Sequence, residues 1–193
     1  NMTVLFEKVG HVEDEMRALR SRRWSRRLEA AVNLGIMQSQ IAVTALIDAV
    51  GDPVEDVKLA AMRALAQLND LSGLRFLLDG IENENRWTGS NMIGAILSMG
   101  SEVIPEIACE VVIRLNTTQN ANARLLYVQL CGLLQISEAL SSLIKLLGEP
   151  DKETRISAAK ALGRIGGISA VESLITSLDD EAWEVRAQAA KSL

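Results

Sequence analysis

A cation, a pair of small or apolar residues and a leucine return along this chain at fixed offsets. Arg155 leads to Ala158-Ala159 and then Leu162-Gly163, and Arg186 leads to Ala189-Ala190 and then Leu193, 31 residues later. Stepping backward, Arg124 leads to Tyr127-Val128 and Cys131-Gly132, and Ser90 to Ile93-Gly94 and Leu97-Ser98. Lys58 leads to Ala61-Met62 and Leu65-Ala66, and Arg27 to Ala30-Ala31 and Leu34-Gly35. The intervals are 31, 32, 34, 31 and 31 residues, and the position after the leucine is small wherever it can be read. A unit this short cannot bury an apolar stripe by itself. The copies must stack and build one core from their junctions.

Each copy holds two helical patterns. The first, helix A, carries its apolar residues at i, i+3, i+4 and i+7. The second, helix B, reads Ala42-Val43, Leu46-Ile47, Val50 in the first copy and Ala139-Leu140, Leu143-Ile144, Leu147 in the fourth. No segment alternates with period two, so no strand is expected. Six residues before the recurring cation stand Ser21, Asp52, Glu84, Thr118, Glu149 and Asp180, most of them suited to N-cap helix A. Pro53 and Pro150 would then occupy the first helical position. Asp52 with Glu55 resembles a capping box. The small residue after each leucine is expected to let neighbouring A helices approach closely.

Composition limits the function. Hydrophobic residues make up 48% of the chain, which excludes a disordered polymer. Apolar runs are short and broken by charge, so no membrane-spanning helix is expected. The formal net charge of −5 argues against a general nucleic-acid binder. One histidine and two cysteines cannot build a histidine-rich or zinc-finger site, and no metal site, cofactor or catalytic residue is assigned. Cys109 and Cys131 lie on apolar stretches and read as reduced core thiols of a cytoplasmic protein. The N-terminus has no signal-peptide pattern. Asn1 ahead of Met2 and a C-terminus inside a helical pattern are expected of a piece of a longer protein.

The residues Asp180-Glu-Ala-Trp183-Glu-Val185-Arg186-Ala-Gln-Ala189-Ala190 and Ala161-Leu162-Gly163-Arg-Ile-Gly166 resemble HEAT repeats, more narrowly the bacterial type related to bilin lyases. The resemblance covers about residues 21–193 and is strongest in the last two copies. It implies an all-α fold, an α-solenoid in which helix pairs wind into a right-handed superhelix, with A helices on the convex side and B helices on the concave side. It also implies that the recurring cation pairs with acids at repeat junctions, so the ladder Arg27, Lys58, Arg124, Arg155 and Arg186 is structural. Iron-dependent hydroxylases of similar architecture need several His-Glu pairs. This chain has His11 and no second histidine. DNA glycosylases of similar class need a cationic concave face, whereas the B helices here present Thr44, Asp48, Arg75, Asp79, Glu106, Glu110, Ser141, Lys145, Glu172 and Thr176.

The expected organisation is an amphipathic N-terminal cap over 1–20, one helix from Val4 to Leu19, then repeats at 21–51, 52–83, 84–116, 117–148 and 149–179 and a partial unit at 180–193. Trp24, Trp87 and Trp183 each stand three residues before the ladder position, which favours packing. The sharpest local anomaly is basic. Arg17, Arg20, Arg22, Arg23, Arg26 and Arg27 fall within eleven residues that contain no acid. On one helix Arg20, Arg23 and Arg27 would share a face. Residues 1–30 carry seven cations and five anions, while residues 31–193 carry thirteen and twenty, so charge is polarised along the chain.

The function expected is non-catalytic: a scaffold or adaptor that binds another protein. Contact would run through Arg75, Asp79, Glu106, Glu110 and Lys145 on the B helices, or through Arg20, Arg22, Arg23 and Arg26. Two alternatives stand beside it, a bilin-lyase-like transferase subunit and a module that holds the cytoplasmic membrane face by anionic lipid on the arginine cluster. Asparagines clustered in the third and fourth copies mark the units that depart most from the pattern.

Overall fold

An A helix with apolar residues on one side only needs a neighbour against that side. The repeat supplies one about 31 residues on. The computed structural model describes residues 2–83, 86–100 and 103–193, with the side chains of Arg86, Trp87 and Thr88 outside the description. Among the described residues there is no strand. The helices are α1 (Met2–Lys8), α2 (His11–Ala18), α3 (Trp24–Met37), α4 (Val43–Val50), α5 (Glu55–Leu68), α6 (Leu71–Asn83), α7 (Arg86–Ile96), α8 (Ile104–Thr117), α9 (Ala121–Leu133), α10 (Leu140–Leu146), α11 (Lys152–Ile165), α12 (Ile168–Thr176) and α13 (Trp183–Ser192). Short 3-10 turns lead into α4 and α10 and follow α12. A helices are therefore α3, α5, α7, α9, α11 and α13, and B helices the even-numbered ones from α4 to α12.

The chain forms two compact units, residues 1–103 and 104–193. In the first, α5 packs between α3 and α7, with α4 and α6 side by side behind it. In the second, α11 packs between α9 and α13, with α8, α10 and α12 behind. Leu34, Leu65, Leu162 and Tyr127 are fully buried. Each such leucine contributes about 1.5–3 kcal/mol by leaving water. The position after the leucine is where A helices touch. A Cβ on Gly132 would lie 2.8 Å from Ala161 Cα, and one on Gly163 would lie 2.8 Å from the Ser192 carbonyl oxygen.

The helix starts differ from the expected ones. Asp52 and Asp180 do not N-cap. Each instead accepts at 2.8 Å from the backbone N–H two residues on, Val54 and Ala182, and the helix begins one residue later. An Asx turn thus precedes the helix, and no capping box forms with Glu55. In the fourth and fifth copies the cap sits four residues before the cation. Asn120 accepts from Asn122 and Ala123, and Asp151 from Thr154. Pro53 and Pro150 lie in the preceding turns, and the first helical residues are Glu55 and Lys152. Glu84 lies outside the described residues.

The third copy is in a different register. Met92, Ile93 and Ile96 are buried, while Leu97 is 38% exposed and no atom lies within 4 Å of a Cβ built on Gly94. Its ladder position is therefore Gly89 rather than Ser90, one residue earlier, and it carries no cation. α7 is also shorter than α3 or α5, at 11 residues against 14.

The N-terminal segment is two helices rather than one. Gly10 at φ +80° breaks it, a conformation glycine adopts at no steric cost. α2 buries Val12, and Leu19 follows it into the core, whereas α1 buries nothing and exposes Met2, Val4 and Leu5. Ser39 Oγ donates to Glu7 and ties α1 down. Cys131 is buried as expected, and burial pushes its thiol up to about 12. Cys109 is exposed, on the solvent side of α8, and is not a core thiol.

Candidate interaction site

Four of the five ladder cations fasten the turns from which their A helices start. Arg27, Arg124, Arg155 and Arg186 each donate to the backbone carbonyl six residues before them: Ser21 at 2.9 Å, Thr118 at 3.2 Å, Glu149 at 2.9 Å and Asp180 at 2.7 Å. Two also reach the next copy. Arg27 meets the Asp52 carboxylate through Nε at 2.6 Å and Nη2 at 2.8 Å. Arg155 meets Asp180 through the same two nitrogens at 2.9 and 3.0 Å. These forked pairs are largely out of water, with Arg155 and Asp180 side chains 7% and 12% exposed. The guanidinium hydrogen bonds hold both Asp52 and Asp180 below the usual carboxylate range. The residue 25 positions after the cation decides the matter. It is Asn83 for Lys58, which sits 3.9 Å from Glu55 in its own helix instead. It is Glu149 for Arg124, whose guanidinium has no ion pair among the described residues.

Away from the ladder, the B helices present rows of exposed side chains. In the first unit α4 and α6 neighbour one another and expose Thr44, Asp48, Arg75 and Asp79. In the second, α8, α10 and α12 expose Glu106, Ser141, Lys145, Glu172 and Thr176, with Glu110 half-buried near Arg114, Nε to Oε2 3.8 Å. A groove of about 510 Å³ runs between α10 and α12 over Ile144, Leu147, Thr176 and Asp179. The structure thus sets these sequence-marked residues in two B-helix rows, one in each unit.

The arginine run is divided rather than shared on one helix face. Residues 20–23 form the link between α2 and α3. Arg26 lies 3.2 Å from Glu15 of α2 and 3.0 Å from Glu29, and Arg17 pairs with Asp14. Glu15 also accepts from Asn33 Nδ2 at 3.1 Å, so it joins α2 to α3. Arg20, Arg22 and Arg23 are exposed and have no ion pair among the described residues. Trp24 and Trp183 open α3 and α13 and are 48% and 66% exposed, so they do not pack as their spacing led one to expect. The Trp87 side chain lies outside the described residues. His11 is exposed, its ring edge-on to Phe6 at 6.4 Å. No group of three or more potential metal ligands occurs among the described residues, and no described helix is long and apolar enough to cross a membrane.

Residues 110–193 match the family model for HEAT repeats. The fold is similar to a designed armadillo repeat protein solved with the peptide (KR)4, at 17% identity and a TM-score of 0.54, covering 93% of this chain and 96% of that one. It is similar to YibA of Escherichia coli at 18% identity and 0.53, covering 94% and 69%. An engineered protein matches at 23% and 0.52, covering 95% of both chains. These likenesses concern the fold. No curated protein matches the sequence.

Proposed function

Starting from a chain that is a HEAT-like repeat protein of α-solenoid fold, we propose that it is a non-catalytic scaffold that binds another protein along the B-helix rows. One observation carries the reading. B helices stand side by side in each unit, with outward side chains in register one turn apart, such as Arg75 and Asp79 or Ser141 and Lys145. A surface fixed by its own core loses little ordering entropy on binding. Mixed charge there selects among partners more than it adds affinity.

The test uses the whole protein as bait in a lysate of its source organism, beside two variants. One carries Asp48→Lys and Asp79→Lys, the other Glu106→Lys, Lys145→Glu and Glu172→Lys. All five positions are exposed, so the melting temperature is expected to stay put. A partner recovered by the parent and lost from either variant is the expected result. Equal recovery from all three baits overturns the B-row reading.

A second reading rests on Arg20, Arg22 and Arg23, which carry no ion pair among the described residues, and on the exposed Met2, Val4 and Leu5 of α1. In it, this end holds an anionic membrane surface. Cosedimentation with phosphatidylserine vesicles, lost at raised salt and in an Arg20→Glu, Arg22→Glu, Arg23→Glu variant, is the outcome it expects. No cosedimentation at low salt removes it.

A further inference from the structure

The outward positions of the A helices recur one, five and nine residues after the ladder position. In α11 they hold Ile156, Lys160 and Arg164, with the last two exposed. In α3 the same positions hold Leu28, Val32 and Ile36, and Val32 and Ile36 are 45% and 67% exposed. Where a later copy meets water with two cations, the first copy meets it with two β-branched hydrocarbons. These residues and Leu59, Arg63 and Gln67 of α5 line a groove of about 570 Å³.

The α5 row also borders a second trough. Against α7 it faces Ser90, Gly94 and Ser98, the third copy's outward row once the register is corrected, and a cleft of about 350 Å³ is left between them. Arg63 lines both troughs. It has no ion pair among the described residues, and no acid lines the cleft. Asn91 lines the cleft too, its amide nitrogen out of contact with solvent and without an acceptor. Buried there, that nitrogen is out of a partner's reach, and Arg63 is the cationic donor that the two troughs offer. Two turns before Arg63, the exposed Asp56 lines the α3–α5 groove.

We propose that this side of the first unit docks an amphipathic helix of a partner protein. Its aliphatic row lies over Val32, Ile36 and Leu59, and its Asp or Glu carboxylate meets Arg63. The chemistry argues each part. A groove between two helices accepts a third through an i, i+4, i+7 row. Hydrocarbon this exposed gains by being covered. An exposed guanidinium without an ion pair selects a carboxylate, which it can meet through two N–H groups. Asp56 adds a Lys or Arg on the partner helix about two turns from its acid. This surface is separate from the B rows, and a partner could engage either without the other.

The test pans a displayed library of 18-residue helices against the whole protein, with an aliphatic row fixed and the flanking positions randomised. Enriched helices are expected to carry Asp or Glu at one flank. Arg63→Gln is expected to weaken them about tenfold or more, the usual scale for a hydrogen bond to a charged group. Ile36→Glu should abolish binding, and both changes are at exposed positions that leave the circular dichroism and melting temperature unchanged. The five B-row substitutions should leave these helices bound, so failure here and failure of the B-row reading are distinct. Enrichment without an acid, no enrichment, or binding indifferent to Arg63→Gln and Ile36→Glu overturns the proposal. A dimer in sedimentation that Ile36→Glu dissolves also overturns it, by giving the groove to a second copy.

Discussion

Arg155 and Arg124 occupy the same repeat position and do different amounts of structural work. Arg155 is buried and donates to Asp180, Glu181 and two backbone carbonyls, while Arg124 reaches the carbonyl of Thr118. Arg155→Met orphans a largely desolvated carboxylate and is expected to cost roughly 3 kcal/mol, the scale of a broken buried pair. Arg124→Met is expected to cost about 1 kcal/mol, one hydrogen bond. Urea midpoints of the two variants check the ranking. The acids set a pH dependence. Asp52 and Asp180 are held low by their arginines, and Asp151 by the Thr154 hydroxyl and N–H. A carboxylate whose folded pKa lies below its unfolded one stabilises the fold above the ordinary value of about 4. That contribution drains away as pH falls from there through the lowered values. Stability measured from pH 6 downward should fall on this limb, and an Asp52→Asn, Asp180→Asn variant should fall less. The sequence marked these cations by period alone. Whether each had a carboxylate to meet was decided 25 residues away, where Asp, Asn and Glu are interchangeable in a composition but not in reach.

At the scale of elements, the A–A junction is set by what sits after the leucine. Gly132→Val drives a branched side chain into the backbone of α11 at Ala161 and is expected to cost about 1–3 kcal/mol, as overpacking does. The same change at Gly94, which faces open space, should cost less, and thermal melts of the pair decide. The helix pairs were legible because an apolar stripe at period 3.6 has one plausible conformation. The register of α7 was not. Ile93 with Leu97 and Met92-Ile93 with Ile96 satisfy the pattern equally, and packing against α5 and α6 chose the second. The helix ends were hidden for another reason. Gln38 and Gln135 close α3 and the segment after α9 at φ +51° and +52°, where glycine or asparagine is the usual signal. Their amides compensate by donating across to the carbonyls of Gln67 and Arg164. The apolar outward row of α3 was in plain view. Alignment on the ladder puts Val32 and Ile36 where Lys160 and Arg164 stand, and burial shows that both rows meet water.

For the molecule as a whole, stability in a stacked repeat is a sum over junctions, so it should be uneven. Amide hydrogen exchange is expected to be slowest in α5 and α11, each an A helix packed between two others in its unit. It should be fastest in α1, which buries no residue. Uniform exchange across these helices would contradict the junction account. The architecture was readable from the period because stacking is the one way such units hide their apolar faces. The groove proposed between α3 and α5 was not, because outward positions are free of that constraint and carry no period of their own.

The arginine forks have a consequence for cutting and rejoining this chain. Arg27 and Arg155 each belong to one helix pair and draw their carboxylate from the next, as Gln38 and Gln135 draw their acceptor carbonyl. A protein trimmed after Asp179 would keep every helix pair whole and still leave Arg155 without its carboxylates. The exchangeable module is thus the seam from one A helix to the start of the next. Grafts that respect the seam would carry their own adhesive, and grafts that respect the helix pair would leave it behind.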